Sequence, residues 1–380
     1  MYLIPRLIGV GVYTLILNII CFSINIMKEK YLSKWIKVYI LLLSIMAFLY
    51  VPSEGADLYR LFPVMHIYTS MSPDALKDTM INTSTPGVPL YYYLIGKLGV
   101  DGLLPGITAL LTYTLIFSIL LKCYKKIESR KKDVVLILFL FMSRGLFQVT
   151  ISNIRTVLAI AIVAWCIYTE IDLKRSIIKN IIFYLIAASL HVMGQFMILL
   201  RIILLLFEKR ETKIDKFMKI AFSIGSIIVT MSYGSSYVEA FLDKGERYIT
   251  GGQLGEGYFY FWEALLSIIS IILLLYLINR VKIYKDKSPV KNNRFVSKRI
   301  LNFLSVIAIF NLGIIFFEFN LGFRLSFFIM MLNIPIGLYC LKCTEGSREY
   351  IKVKNSLLII SLIMLIISVT RGDLCSLKFF

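Results

Sequence analysis

Apolar segments long enough to cross a lipid bilayer recur from one end of this 380-residue chain to the other. Hydrophobic residues make up 58% of the sequence, and its mean hydropathy is +0.78, as in membrane proteins. Such segments cross a bilayer as α-helices, because backbone groups must find partners within the segment. No polar stretch is large enough to form a core of its own. We therefore predict one all-α, multi-pass membrane domain covering residues 1–380.

Basic residues give the chain a net charge of +19, and most of them lie in short hydrophilic segments between the apolar ones. Positive residues are enriched in cytoplasmic loops, so we place these segments inside the cell. This topology accounts for the charge without nucleic-acid binding. It predicts about 12 transmembrane helices with both termini outside, near residues 6–27, 35–51, 103–121, 133–150, 152–170, 177–192, 194–207, 217–233, 259–279, 300–317, 323–341 and 355–370.

Residues 88–100, VPLYYYLIGKLGV, are apolar but too short to cross the bilayer comfortably. If they crossed, the next basic segment would lie outside, so we predict a short re-entrant or interfacial helix here. This topology places two long loops outside the cell, at residues 52–87 and 234–258. Proline is frequent in the first loop and glycine in the second, which is typical of irregular structure.

Four arginines interrupt or border the predicted spans, where a charge is costly unless it is compensated. Arg155 and Arg324 begin their spans at the outer end, and Arg144 lies about two-thirds of the way out along its own span. His191 falls at the same level, as do Glu318 and Asn320, whereas Arg201 lies deeper and could snorkel or pair within the bundle. Like charges at one depth repel unless an anion or acidic partner compensates them, so we predict an anion site open to the exterior.

Guanidinium groups suit phosphate because they are planar, permanently charged and able to donate two parallel hydrogen bonds. At membrane depth, the natural anion is the diphosphate of a lipid-linked substrate. The first outer loop adds carboxylates and aromatic rings of the kind that bind sugars. These side chains are Glu54, Asp57, Asp74, Asp78, Tyr59 and Tyr68, followed by Tyr91, Tyr92 and Tyr93. The sequence therefore indicates a carbohydrate on a lipid carrier.

Four stretches resemble the EpsG-like branch of the bacterial Wzy polysaccharide polymerases: GADLYRLF, SNIRTVLAIAIVAWCIYTE, IAASLHVMGQFMIL and GFRLSFFIMMLNIPI. The resemblance implies a membrane-embedded glycosyltransferase similar to the GT-C type, at the outer face of the bacterial inner membrane. It also implies a substrate, undecaprenyl-diphosphate-linked oligosaccharide repeat units of an O-antigen, capsule or exopolysaccharide. Asp57, Arg155, His191 and Arg324 occupy the polar positions of that family, and Tyr59 is aligned with them.

Our hypothesis from these residues is an inverting glycosyl transfer without a cofactor or metal. Arg155 and Arg324 stabilise the departing diphosphate, and Arg144 supports them. Either Asp57 or His191 accepts the proton of the acceptor hydroxyl. A substrate-binding role is predicted for Arg144, Tyr59 and Glu318.

A flippase and an acyltransferase are the two alternatives to this function. A lipid-linked oligosaccharide flippase needs polar residues along a path into the cytoplasmic half, and here they gather at the outer level. A membrane O-acyltransferase needs a histidine that meets an acyl donor from the cytoplasm, whereas His191 is predicted to face outward. Expected partners of the polymerase are the lipid bilayer, a chain-length regulator and a flippase.

Overall fold

The computed structural model describes residues 13, 16–17, 19–21, 23–52, 54, 56–207, 257–288, 294–317 and 319–370. Within these ranges the chain is helical and contains no β-strand, which confirms the all-α prediction. The helices are α1 (Leu32–Phe48), α2 (Asp57–Ser70), α3 (Pro73–Ile81), α4 (Gly87–Gly96), α5 (Leu103–Ile127), α6 (Lys131–Ser143), α7 (Leu146–Ser152), α8 (Ile154–Ile171), α9 (Ile181–Leu190), α10 (Val192–Phe207), α11 (Gly257–Tyr284), α12 (Lys298–Phe317), α13 (Phe319–Thr344) and α14 (Arg348–Thr370).

Seven helical segments in the described part of the chain are long and apolar enough to cross a membrane. The bent pair α6 and α7 adds an eighth if it is counted as one span. The α9 and α10 helices, at the predicted spans 177–192 and 194–207, are apolar but shorter than the membrane-length helices. The predicted span at 217–233 and half of that at 6–27 lie outside the described residues. The total of about 12 therefore stays a prediction.

The first predicted outer loop, residues 52–87, is largely helical rather than irregular. It forms α2 and α3, and α4 begins at its end. Pro73 is at the start of α3, a position that a helix tolerates, whereas Pro63 lies inside α2, where proline removes one intrahelical hydrogen bond. The Ser72 hydroxyl caps α3 by accepting a hydrogen bond from the Ala75 amide, at 3.3 Å. Most of the second predicted loop, 234–258, is outside the described residues.

The α8 helix is the centre of the bundle and packs against α5, α9, α10 and α13. Small side chains at Ala159, Ala161 and Ala164 are fully buried, which allows neighbouring backbones to approach closely. Every residue of α8 is buried with one exception, Arg155 in its first turn. Arg155 is thus the only residue of α8 that is partly exposed to the surroundings.

The opposite end of α8 is held by charged and polar contacts. The buried Asp172 carboxylate accepts hydrogen bonds from Lys126 Nζ at 2.9 Å and from the Tyr339 hydroxyl at 2.8 Å. Nearby, Arg130 and Glu345 form an ion pair at 2.7 Å between the start of α6 and the end of α13. These contacts join α5, α6, α8 and α13 at the end where the sequence places basic segments inside the cell.

Candidate anion site

Arg155 occupies the N-terminal turn of α8, directly after the short helix α7. The two helices are separated by Asn153, whose backbone angles (φ −102°, ψ 48°) are not helical. The first intrahelical bond at this end runs from the Val157 amide to the Asn153 carbonyl, at 3.0 Å. The amides before Val157 therefore lack intrahelical acceptors, and the helix dipole adds partial positive charge. Arg155 and the end of its helix together form a positively charged, half-buried surface.

The charge of Arg155 is not compensated by the protein in the described ranges, where its side chain forms neither an ion pair nor a hydrogen bond. Arg144 and Arg201, which the sequence also singled out, differ from Arg155 because each is paired with a carboxylate. Arg144 lies 2.7 Å from Glu263, and Arg201 lies 2.8 Å from Glu170, with all four side chains at most 1% exposed. A buried charge that has a carboxylate partner is offset within the bundle. Arg155 is partly exposed and has no such carboxylate partner in the described residues.

Arg144 stands at the break between α6 and α7, where the chain bends by 53°. Gly145, the next residue, has φ +73°, a left-handed conformation that suits glycine at the end of a helix. The carbonyls released by the break are satisfied, since the Tyr13 hydroxyl donates to Met142 O at 2.9 Å and the Ser368 hydroxyl donates to Ser143 O at 3.1 Å. The Arg144 guanidinium lies in this break and also packs over the Phe327 ring, at 5.8 Å. Its surroundings are those of a structural residue.

Arg201 pairs within the bundle, one of the two outcomes that the sequence left open. Its Nε donates to Glu170 Oε2 at 2.8 Å, and the Asn180 side-chain amide donates to Glu170 Oε1 at 2.9 Å. All three side chains are buried. The pair joins α8 to α10 and does not reach the Arg155 surface.

His191 lies at the apex of a helical hairpin formed by α9 and α10. Its backbone is extended (φ −161°, ψ 143°), and its Nδ1 accepts a hydrogen bond from the Met193 amide at 3.0 Å, so the ring caps α10. Its Nε2 lies 3.2 Å from the hydroxyl of Thr156, the neighbour of Arg155. Because Nδ1 acts as the acceptor, Nε2 carries the proton in the neutral ring and faces Thr156 as a donor. The structure therefore brings His191 to the Arg155 surface.

The hairpin is tight because of Gly194, which follows shortly after His191. A Cβ at this position would lie 2.1 Å from the Ala187 carbonyl oxygen, so no other residue fits without moving a helix. Gln195 donates hydrogen bonds from its side chain to Ala188 O at 3.1 Å and to Ser84 O at 3.0 Å. The second of these bonds attaches the segment before α4 to the hairpin.

The α4 helix connects this hairpin with Arg155. At its start, Gly87 lies against Ser189 of the hairpin, and a Cβ there would be 2.4 Å from the Ser189 hydroxyl oxygen. One helical turn further on, Tyr92 is fully buried and interacts electrostatically with Arg155. The predicted short helix is present in the structure, and its place relative to a membrane stays a prediction.

Asp57 and Tyr59 lie in the first turn of α2. The Asp57 carboxylate forms an exposed ion pair with Arg60, one helical turn along, at 2.6 Å. Tyr59 is 45% exposed. The contacts of Asp57 stay within its own helical turn and do not join it to Arg155 or His191. The α2 helix packs against α4 and also contacts α7, the short helix that precedes α8. Near the end of α2, the Tyr68 ring lies 6.2 Å from that of Tyr92.

Arg324 is half-buried in the second turn of α13. The turn before it is tight, because a Cβ on Gly322 would lie 2.8 Å from Ile315 Cα of α12. The Phe323 and Phe327 rings that flank Arg324 in sequence are 4.6 Å apart, and Phe327 also contacts Arg144. Glu318, the predicted partner on this side, lies outside the described residues. The roles predicted for Arg324 and Glu318 stay predictions.

The sequence interpretation missed three acidic residues and a histidine. Glu170 and Glu263 are the partners of Arg201 and Arg144, and a lone acid inside an apolar run was the signal that could have revealed them. His66 of α2 pairs with Asp101, which precedes α5, at 2.7 Å, and both side chains are exposed. The described residues hold no group of three His, Cys, Asp or Glu side chains arranged to bind a metal ion.

The fold and the site define a multi-pass, all-helical membrane protein whose buried central helix presents one accessible arginine at its N-terminal end. The chain belongs to the EpsG family, whose family model matches residues 89–379. This membership points to a polysaccharide polymerase-type role. Arg155, His191 and Arg324 lie within the matched range, whereas Asp57 and Tyr59 precede it. No curated protein and no solved structure matches the chain, and the likeness to GT-C glycosyltransferases stays a prediction.

Proposed function

We propose that this protein polymerises oligosaccharide repeat units carried on undecaprenyl diphosphate, at the outer face of the bacterial inner membrane. The observation that carries the proposal is the contrast among the arginines. Arg144 and Arg201 are buried against carboxylates, whereas Arg155 has no such partner in the described residues and is the accessible residue of α8. A permanent cation in this position needs an external anion, and family membership supplies the class of reaction.

The diphosphate of the donor lipid binds at the N-terminal end of α8 in this proposal. Arg155 donates two parallel hydrogen bonds to phosphate oxygens, and the free amides of the first turn add partial positive charge. Arg324 contributes a second guanidinium from α13. The apolar lipid chain remains in the bilayer beside the bundle, while the sugars extend outward toward α2, α3 and α4.

The transfer step breaks the bond between the anomeric carbon of the growing chain and the diphosphate oxygen. The bonding electron pair leaves with the diphosphate, and a hydroxyl at the non-reducing end of a new lipid-linked repeat attacks from the opposite face. Negative charge grows on the diphosphate as the bond breaks, so Arg155 and Arg324 bind the transition state more strongly than the ground state. The hydroxyl proton passes to a base.

The hydrogen bonds of His191 favour Asp57 as that base. The Nδ1 lone pair of His191 is occupied by the Met193 amide, and Nε2 is the protonated nitrogen, so the neutral ring has no free lone pair to accept a proton. Instead, His191 donates from Nε2, and we assign it a positioning role beside Arg155. Arg144 is assigned a structural role because Glu263 offsets its charge. Tyr59 and Glu318 keep their proposed substrate-binding role.

The proposal is tested with the purified protein in lipid nanodiscs and a lipid-linked repeat unit isolated from cells that lack it. Polymerase activity gives a ladder of products that differ by one repeat, and undecaprenyl diphosphate is released for each bond formed. If instead the single repeat is moved across a liposome membrane without extension, the protein is a flippase. If an acyl group is added at unchanged length, it is an acyltransferase.

A further inference from the structure

Two cations share one aromatic side chain at the basic end of the bundle, remote from Arg155. The aromatic side chain is Trp165 of α8, which is buried. The Lys122 ammonium of α5 lies 4.9 Å from the centroid of its ring, and the Arg175 guanidinium lies 5.0 Å from it. Phe183 of α9 completes the group, since its ring centroid is 5.2 Å from that of Trp165. The aromatic faces attract both positive charges and hold them together.

The connection between α8 and α9 positions Arg175 against these rings. Lys174, the preceding residue, has φ +56°, a left-handed conformation that residues other than glycine adopt at a cost. The Arg175 amide donates to the Thr169 carbonyl of α8 at 3.1 Å, which closes the turn. The guanidinium also lies 5.8 Å from the Phe183 ring and donates to the Lys179 carbonyl at 3.4 Å. Arg175 is therefore held in place by the fold.

No carboxylate of the described chain compensates these two charges. Glu170 and Asp172, the acids nearest to Arg175 in sequence, already pair with other cations of the bundle. Neither Lys122 nor Arg175 forms an ion pair in the ranges that the structure describes. Both side chains are partly buried, so water screens their mutual repulsion less than it would at a fully exposed site. An anion from outside the protein would offset that repulsion.

The location of the group indicates what kind of anion it binds. Lys122 lies in the last two turns of α5, and Arg175 follows the end of α8, where apolar helices give way to polar chain. Tryptophan and basic residues are typical of this level of a membrane. Beside the group, α9 exposes Ile182, Leu185 and Ile186, whose spacing places them on one face of the helix. A positive group next to an exposed apolar face matches the two parts of an anionic phospholipid.

We propose that Lys122, Trp165 and Arg175 bind the head group of an anionic phospholipid in the leaflet at the basic end of the bundle. The phosphate compensates the two cations, the indole lies at the level of the head groups, and the acyl chains pack along α9. A lipid bound in this way joins α5, α8 and α9. The inference does not depend on the proposed function, since it involves neither Arg155 nor a sugar.

The test measures lipid binding by the full-length protein purified in detergent, with bound lipid detected by native mass spectrometry. The probe is phosphatidylglycerol, and the comparison is phosphatidylcholine, which carries a phosphate but no net charge. We expect the wild type to prefer phosphatidylglycerol. The double variant Lys122→Gln, Arg175→Gln should bind it about tenfold more weakly or less tightly still, because each cation near a membrane surface adds to the attraction.

A second pair of lysines provides a control with the same change of charge. Lys30 and Lys34 lie 5.0 and 5.8 Å from the Tyr31 ring, but all three side chains are exposed. The variant Lys30→Gln, Lys34→Gln should therefore keep the affinity of the wild type for phosphatidylglycerol. An equal loss in both double variants would show general attraction to the basic end and overturn the inference.

The thermal midpoint without lipid shows whether each variant is folded. If the double variant is not, Lys122→Gln alone replaces it, with an expected loss of about fivefold in affinity. Equal binding of phosphatidylcholine and phosphatidylglycerol by the wild type would contradict an anion site. Displacement of phosphatidylglycerol by inorganic phosphate would identify a soluble anion instead, and tighter binding of undecaprenyl phosphate at these residues would identify a carrier lipid. Either result would overturn the assignment to a phospholipid.

Discussion

The Arg144 guanidinium and the Glu263 carboxylate lie 2.7 Å apart, and neither side chain is more than 1% exposed. The pair joins the break between α6 and α7 to the first half of α11. A charge in this position can be tolerated only with its partner, because desolvating either ion alone is costly. The pair lies at the bend that leads through α7 to Asn153 and Arg155. In the proposed function, Arg144 therefore acts on the site through the backbone.

Removing one member of this pair should destabilise the protein strongly. We expect Glu263→Gln to cost about 3–5 kcal/mol, because it leaves a buried arginine without its carboxylate. The double variant Arg144→Met, Glu263→Leu should recover most of that loss, since it leaves no buried charge. Thermal unfolding in detergent measures both effects.

Extension of lipid-linked repeats by the same double variant tests the structural role of Arg144. We expect the double variant to retain polymerisation activity in proportion to its amount of folded protein. A double variant that folds well but makes no ladder would show that Arg144 acts on the substrate, as the sequence first indicated.

The polymerisation activity of His191 variants should depend on whether the new side chain supplies a donor near Nε2 or an acceptor near Nδ1. Glutamine places an amide donor near Nε2, and asparagine places an acceptor near Nδ1 that can still cap α10. We therefore expect His191→Gln to retain more polymerisation than His191→Asn, and to lose about 1 kcal/mol of stability with the cap. Equal and complete loss of polymerisation in both variants, with intact folding, would indicate proton transfer by the imidazole.

The sequence predicted the helical class and the special position of Arg155, since a charge at the start of a long apolar run is visible without a structure. It set Arg201 apart by depth alone, and it could not show that Arg144 and Arg201 have carboxylate partners whereas Arg155 has none in the described residues. Their partners, Glu263 and Glu170, are 119 and 31 residues away in sequence, and only tertiary packing brings each pair together. The arginines look alike in the sequence, but two of them have a buried carboxylate partner and Arg155 has none in the described residues.

The outer segment was predicted less well, because its prolines were interpreted as helix breakers. Pro73 instead starts α3, a position where its missing amide costs nothing. The residues that surround the two candidate bases were not predicted from the sequence. The structure gives Asp57 a local partner in Arg60, and it gives His191 a place beside Thr156.

The topology can be measured with phosphatase fusions, which are active only outside the cytoplasm. We expect activity for fusions after Asn82, in the connection between α3 and α4, and after Lys244. We expect none after Glu128, which follows α5 at the basic end of the bundle. The reverse pattern would place Arg155 at the cytoplasmic face and contradict the proposed reaction.

Chelation tests how the diphosphate charge is compensated. Arginines can neutralise a diphosphate directly and would repel a bare cation in the same space. The purified protein should therefore extend lipid-linked repeats in excess EDTA at close to its full rate. Loss of activity that magnesium or manganese restores would show that a metal ion, rather than Arg155, stabilises the leaving group.

The most direct measurement is the extension rate of Arg155→Lys beside Arg155→Ala, at equal amounts of folded protein. Arg155→Ala should lose about 100-fold or more, as when a transition-state donor is removed. Arg155→Lys should fall within about tenfold of Arg155→Ala, because lysine keeps the charge but loses the two parallel hydrogen bonds to phosphate. A lysine variant that extends repeats at the wild-type rate would contradict the account and leave Arg155 as a membrane anchor.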